Sequence, residues 1–440
     1  MRSCDPNRPA KTAKRKENTM GKNKIPETGI YDARQLGRGR MLLLGFQHMF
    51  AMFGATILVP ILTGLDVSNT LLFAGLGTLL FHLITGGKVP AFLGSSFAFL
   101  GGYATIAPML DGNQPNLAML PYACFGVACA GLVYVILAGL FKAFGAKKVM
   151  RFFPPIVTGP IIIAIGLNLS SSAINNCTGN WWIAIAAILI IVAANIWGKG
   201  MIKIIPVLIS LIVSYIVAII MGAVSFDAVG TAAWVGLPNF HLPKFNADAI
   251  IAGLAVAVAA MVEHVGDVMA IGATTGKNYI ADPGLTRTLL GDGIGTSLAG
   301  LLGGPANTTY SENTGVVALT RVFDPFVMRI AAVMAIILSL SPKFEAVINS
   351  IPTAVIGGIS FVLYGMIAAT GIRTIVENQV DFVNMRNVLV AAIIMVSGLG
   401  FNTYPIHVGG VSFSGLACAA VFGIILNAIL PGKDYEFKED

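Results

Sequence analysis

The chain has 440 residues, 56% of them hydrophobic and only 11% charged, with a formal net charge of +7. A soluble domain carries about 25% charged residues, so the bulk of this chain is built for a surrounding other than water. The basic excess gathers in the N-terminal tail beside apolar runs, a pattern that reports membrane topology and lipid headgroups and gives no sign of a nucleic-acid partner.

Residues 1–40 are polar and basic, from Arg2 through Lys11, Lys14, Arg15 and Lys16 to Arg40. They hold no apolar core, are expected to be disordered, and lack the apolar centre and cleavage site of a signal peptide. Met20 offers an alternative start. From Met41 onward apolar runs alternate with short polar breaks, giving about fourteen candidate spans of the length a bilayer requires. Their centres lie near Phe50, Thr78, Phe99, Val133, Ile162, Ala187 and Ile212, then Ala259, Thr296, Glu312, Met334, Phe361, Ile394 and Phe422. The third and tenth run through Leu93-Gly94-Ser95-Ser96 and Asn307-Thr308-Thr309-Tyr310-Ser311-Glu312-Asn313, which are too polar to face lipid. Non-helical backbone at membrane depth survives only where protein or a water-filled cavity covers it.

The charges fall on one side of this scheme. With both termini in the cytoplasm, the inner loops receive Lys88, Lys142, Lys147, Lys148, Arg151, Lys199, Lys203, Lys277, Arg287, Arg321, Arg373 and Arg386, and the outer loops Lys244 and Lys343. That asymmetry is the positive-inside pattern of a multi-pass protein in the cytoplasmic membrane. Arg329 falls inside the eleventh span and has no place in the pattern.

A faint internal repeat runs through the chain. Gln47-His48 matches Glu263-His264, Gly54-Ala55-Thr56 matches Gly272-Ala273-Thr274, and Gly75-Leu76-Gly77-Thr78 matches Gly293-Ile294-Gly295-Thr296. Gly86-Gly87 matches Gly303-Gly304, and Pro155 with Gly159 resembles Pro352 with Gly357. Each match alone is weak in a chain with 50 glycines, but they keep the same order at nearly constant offset. The expected fold is therefore an all-α polytopic membrane protein made of two inverted repeats of seven spans, with a binding site where the two interrupted spans meet.

Carboxylates inside a membrane are expensive and mark function. Glu263 and Asp267 are four residues apart and share a helix face. The plainer reading, a helix-end pair in water, conflicts with the apolar run Ala255 to Val262 directly before them. Glu312 lies in the tenth, interrupted span, where the plainer reading is a loop residue at the mouth. Asp292, between two glycines, is expected to accept hydrogen bonds from neighbouring backbone. His48 and His264 read as packed polar residues. Phe97 follows Ser95-Ser96 in the third span, at the place the repeat pairs with Glu312, so it is either core or the cover of a flat solute. The cysteines at 4, 124, 129, 177 and 418 match no metal-ligand spacing, and no nucleophile stands beside a base, so neither a cofactor nor an enzyme is expected. Half-helix N-termini supply N–H donors and the carboxylates supply acceptors. A neutral ring with alternating C=O and N–H groups needs both. Close carboxylates cannot all be charged, so one holds a proton and can couple it to transport.

The segments Gln47 to Thr56, Pro90 to Phe99, Glu263-His264-Val265-Gly266 and Thr308 to Val316, closing on Thr320-Arg321, resemble the nucleobase–ascorbate transporters, nucleobase–cation symporters of the second type. Within that family they are most similar to bacterial uracil permeases, over about Leu43 to Leu430, and the Glu-Asn-x-Gly-Val-x-x-x-Thr-Arg signature is highly specific. The resemblance implies short paired strands in spans three and ten. It implies core segments at 41–145 and 245–345, gate segments at 150–225 and 350–430, a C-terminal tail at 431–440, and a homodimer. It implies uracil:proton symport with the proton as coupling ion. Glu263 and Glu312 would bond the ring, the amides at Phe97 and Ser311 would meet its carbonyls, and Glu312 with Asp267 would handle the proton. Ser96, Tyr310, Asn313 and Tyr364 are secondary candidates, Tyr364 facing the site from the gate. Two positions depart from the uracil pattern: Ser311 stands where Gly is common and Asp267 where His is common. Asp at the latter place is familiar from purine transporters, which leaves a xanthine- or urate-type symporter as the alternative, beside a passive facilitator. Glu312, where purine transporters have Gln, favours uracil.

Overall fold

A computed structural model of the chain describes residues 29–110, 114–408 and 411–432. In lipid, backbone N–H and C=O groups must find partners within the protein, so long apolar runs become helices. The first half holds α1 (Arg38–Thr63), α2 (Val67–Ile84), the strand β1 (Leu93–Ser95), α3 (Leu100–Ile106), α4 (Leu120–Phe144), α5 (Ala146–Met150), α6 (Pro155–Asn168), α7 (Ser170–Cys177), α8 (Trp181–Ile196), α9 (Met201–Ile204) and α10 (Pro206–Ile220). A single turn, Phe97–Phe99, leads into α3. After the short α11 (Asp227–Thr231) come α12 (Ala247–Thr275), α13 (Leu285–Leu301), the strand β2 (Asn307–Thr309), α14 (Ser311–Thr320), α15 (Pro325–Ser339) and α16 (Pro342–Asn349). The chain continues through α17 (Thr353–Glu377), α18 (Met385–Thr403), the strands β3 (Ile406–Val408) and β4 (Val411–Phe413), and α19 (Gly415–Ile429).

A helix or helical turn covers every span centre expected from the sequence. By length and composition, seven helices among the described residues can cross a membrane, or eight if α15 and α16, bent by 85°, form one span. The chain is thus a mostly helical, multi-pass membrane protein. Helix ends follow local chemistry. Asp66, Asn180 and Asn246 accept N-terminal amides of α2, α8 and α12, and Pro opens α6, α10, α15 and α16.

The two polar interruptions meet. β1 and β2 pair antiparallel, with Leu93 opposite Thr309, Gly94 opposite Thr308 and Ser95 opposite Asn307. Each strand has one edge left over, and a threonine from a neighbouring helix closes its first residue. On α2, the Thr78 hydroxyl accepts from Leu93 N–H (2.9 Å) and donates to its carbonyl (3.2 Å). On α13, Thr296 does the same for Asn307, at 3.2 and 3.0 Å. Gly77 lets α2 come in: a Cβ there would lie 2.4 Å from the Asn307 amide. The threonine of the repeated Gly-x-Gly-Thr motif therefore holds the first residue of each strand.

The helices pack in two sets. α1, α2, α4, α12, α13 and α15 surround the strands, while α6, α7, α8, α10, α17, α18 and α19 pack on one another. Glycines mark the tightest crossings. A Cβ on Gly126 of α4 would lie 2.4 Å from the Ala249 carbonyl of α12, and one on Gly371 of α17 would lie 2.5 Å from the Gly159 carbonyl of α6.

The structure corrects the tail boundary. Residues 1–28 lie outside the described residues, but 29–40 are built into the protein. Ile30 pairs with Val322, its N–H donating to the Arg321 carbonyl at 2.8 Å, and the Ala33 amide donates to Asp324 Oδ2 at 2.7 Å. The apolar Ile30 and Ala33 are buried there, which a reading of charge density alone misses. The β3–β4 hairpin was also not expected: it is only three residues a side and carries no long alternating pattern. Arg329 packs against the Gly86-Gly87 loop, where the absent Cβ of Gly87 makes room for its guanidinium. Most of 431–440 lies outside the described residues.

Candidate functional site

Between the two helix sets lies a cavity of about 1550 Å³. Its closed end is formed by the strand pair, the half-helices that follow it, and the middle of α12. Glu263 sits near the centre of that 29-residue helix, preceded by more than three apolar turns, and its side chain opens into the cavity. The helix-end reading of Glu263 and Asp267 is therefore not what the structure contains. Glu312, in the first turn of α14, and half-buried Phe97, at the start of the α3 half-helix, line the same cavity. The first amides of a helix have no acceptor within it. Those of the two half-helices accordingly start at the strand pair, beside the carboxylates. Glu263 is within electrostatic reach of Asp267, Glu312 and Asp292.

Asp267 is held firmly. Thr309 donates to its Oδ2 at 2.8 Å and Ser311 to its Oδ1 at 2.6 Å. Tyr310 borders the cavity, but its hydroxyl donates to the Ser95 carbonyl at 2.7 Å and lies 3.2 Å from Thr56 Oγ1, which ties β1 to α1.

Three secondary candidates stand elsewhere. Asn313 is fully buried and donates to the His48 carbonyl at 3.0 Å, with His48 Nδ1 3.2 Å away. One residue is about 100° of helix, so Asn313 cannot share the face of Glu312. Ser96 is buried outside the cavity lining, because neighbours along an extended segment alternate sides. Tyr364 is buried in α17, and its neighbours Leu363, Met366 and Ile367 face the cavity in its place. Asp292 also differs from expectation: its partner is a side chain, His264 Nδ1 at 2.8 Å from Oδ2, with both groups fully buried. The sequence reading missed Thr308, Thr309 and Gly266 at the closed end, and Met150 and Phe153 on the opposite wall. Thr309 was legible in principle, since period two along β2 places residues 309 and 311 on one side.

The open end of the cavity is polar, with Arg373, Glu377 and Asp381 at the mouth and the Arg373–Glu377 pair at 3.5 Å. Among the described residues no group of three His, Cys, Asp or Glu side chains could hold a metal ion. The closed end thus offers backbone donors, carboxylate acceptors and one aromatic face, a set suited to a small flat solute with both C=O and N–H groups.

A family model described as the Permease family matches residues 39–407. The chain belongs to this family. A probable uracil permease of Haemophilus influenzae is 41% identical over 426 residues, covering 94% of this chain and 100% of that protein. The uracil permease of Bacillus subtilis is 41% identical over 404 residues, 88% of this chain and 91% of its own. The uracil permease of Escherichia coli is 35% identical over 397 residues, 88% and 90% of the two chains. The family reading from the sequence agrees with these relatives, and membership places the permease among transporters. Among solved structures, the transmembrane domain of a cyanobacterial bicarbonate transporter, BicA, superposes with a TM-score of 0.60 at 18% identity, over 91% of this chain and 99% of that one. The overall structure of SLC26A9 does so with a TM-score of 0.65 at 12% identity, over 91% and 66%. At these identities the likeness to BicA and SLC26A9 is one of fold.

Proposed function

We propose that this permease takes up uracil with a proton across the cytoplasmic membrane. The observation that carries the reading is the meeting of Glu263, Glu312, Phe97 and two half-helix N-termini at the closed end of one cavity, in a chain similar over most of its length to uracil permeases. In this reading Glu263 and Glu312 accept the ring N–H groups, the amides of Phe97 and Ser311 donate to the ring carbonyls, and the Phe97 ring covers a face. Glu312 carries the coupling proton, since charge on it would stand against Glu263. No cofactor enters; the proton is the coupling ion. A proton moving inward through about 100 mV supplies about 2.3 kcal/mol, roughly a 50-fold accumulation before any pH gradient.

The proposed architecture is fourteen segments in two inverted halves. The packing supports it, because contacts exchange between halves. α4 packs on α13 as α15 packs on α2, α4 on α12 as α15 on α1, and α18 on α19 as α8 on α10. In this reading the strand-bearing set is the core, at 41–145 and 245–345, and the other set the gate, at 150–225 and 350–430; the packing of each set on itself supports the division. With both termini cytoplasmic, as the loop charges indicate, the mouth at Arg373 and Asp381 opens inward. Assembly as a homodimer rests on the family resemblance.

Binding of a panel of uracil, thymine, xanthine, urate and hypoxanthine to purified protein tests the reading. Uracil is expected to bind tightest, and Glu263→Gln to lose at least about a hundredfold, because a donor then faces a ring N–H and a buried acceptor is lost. Xanthine above uracil, or full uracil affinity in Glu263→Gln, would overturn it.

A further inference from the structure

Asp267 is the one site carboxylate with both oxygens already engaged by hydroxyl donors among the described residues. The donors come from either side of a junction. Thr309 ends β2, Ser311 opens α14, and Tyr310 lies between them. Tyr310 faces the other way: its N–H donates to the Phe92 carbonyl at 3.0 Å and its hydroxyl to the Ser95 carbonyl. Three consecutive residues are thus pinned alternately to α12 and to the β1 segment. Their alternation follows from the extended backbone of the strand end. The titratable groups around Asp267 are Glu263 and His264 on its own helix, Asp292 on α13 and Glu312 on α14. Glu263 and Asp267 both line the cavity, but Glu263 is exposed in it and Asp267 is buried.

Resting on the reading of this cavity as a nucleobase site, we propose that Asp267 is a positioning residue: with Thr309 and Ser311 it clamps the strand-to-helix junction to α12, aims the first amides of α14 at the solute, and leaves the coupling proton to the other carboxylates. The Ser311 hydroxyl is turned onto Asp267, at the wall of the cavity. The two positions at which this chain departs from the uracil pattern, 267 and 311, are then one contact, with donor and acceptor present together.

The test compares Asp267→Asn, Ser311→Ala and the double variant with the intact protein in proteoliposomes, reading uracil KM and the pH profile of uptake. Asp267→Asn is expected to raise KM about tenfold and keep the pH profile, because the amide loses the charge that strengthens both bonds and one hydroxyl must turn round to accept from its N–H. Ser311→Ala is expected to raise KM less, and the double variant to be no worse than Asp267→Asn, since both remove the same contact. A lost pH dependence in Asp267→Asn, or effects that add, would overturn the proposal. Thr309→Val with Ser311→Ala repeats the cycle if Asp267→Asn does not fold. If the intact protein does not bind uracil, the functional reading fails by itself. The clamp is then judged by thermal unfolding of the same variants, where additive effects overturn it and non-additive effects support it.

Discussion

Asn313 and Glu312 are adjacent in the sequence motif and do unrelated work in the structure. Glu312 faces the cavity, while Asn313 joins α14 to α1 through His48. Replacing a buried hydrogen-bonding group so that its partner stays unpaired costs about 1–3 kcal/mol. Asn313→Ala is therefore expected to lower the unfolding temperature in detergent and to change uracil affinity far less than Glu263→Gln does. A large loss of affinity at unchanged stability would return Asn313 to the binding site. What was legible at this scale was residue type and spacing: Glu263 and Asp267 four apart, within an apolar run, put two carboxylates at one place. What was not legible was direction. Ser96, Asn313 and Tyr364 each sit one position from a lining residue, and a single step along a strand or helix turns a side chain away. Asp292 was misread for a related reason, since its partner His264 is distant in sequence and nothing local announces it.

The paired strands show how an element that cannot stand alone is made stable inside a membrane. Three residues of β1 and three of β2 satisfy each other on one edge, and Thr78 and Thr296 supply both a donor and an acceptor at the start of each. Thr296→Val keeps the shape of the side chain but removes the hydroxyl, which leaves the amide and carbonyl of Asn307 without that partner. A loss of about 1–3 kcal/mol per unpaired group is expected. It should be visible as a lower unfolding temperature together with weaker uracil binding, because the strand orients the start of α14. An unchanged protein would mean that the threonines only pack. Here the sequence was informative twice over: the polar runs were too hydrophilic for lipid, and the Gly-x-Gly-Thr motif recurred ahead of each. The docking of residues 29–36 was hidden because two apolar residues, Ile30 and Ala33, beside a long charged stretch leave little trace in composition.

At the scale of the whole molecule, two helix sets enclose one cavity that is open at one end. The glycine crossings within each set, such as Gly126 against Ala249 and Gly371 against Gly159, leave no space for relaxation. Contacts between the sets are lighter, mainly α12 with α19 and α1 with α10. Movement of one set against the other is the proposed way for the site to face the two sides in turn, with Glu312 carrying a proton each time uracil is bound. The multi-pass helical character was readable from the chain alone, because lipid imposes length and apolarity on every span. The cavity was not, since it depends on how distant helices face one another. The most direct measurement is uptake of labelled uracil by proteoliposomes under an inward proton gradient. The account predicts transient accumulation above the outside concentration, abolished by an uncoupler, and equilibration without accumulation in Glu312→Gln. Uptake that only ever equilibrates in the intact protein, with or without the gradient, would contradict it.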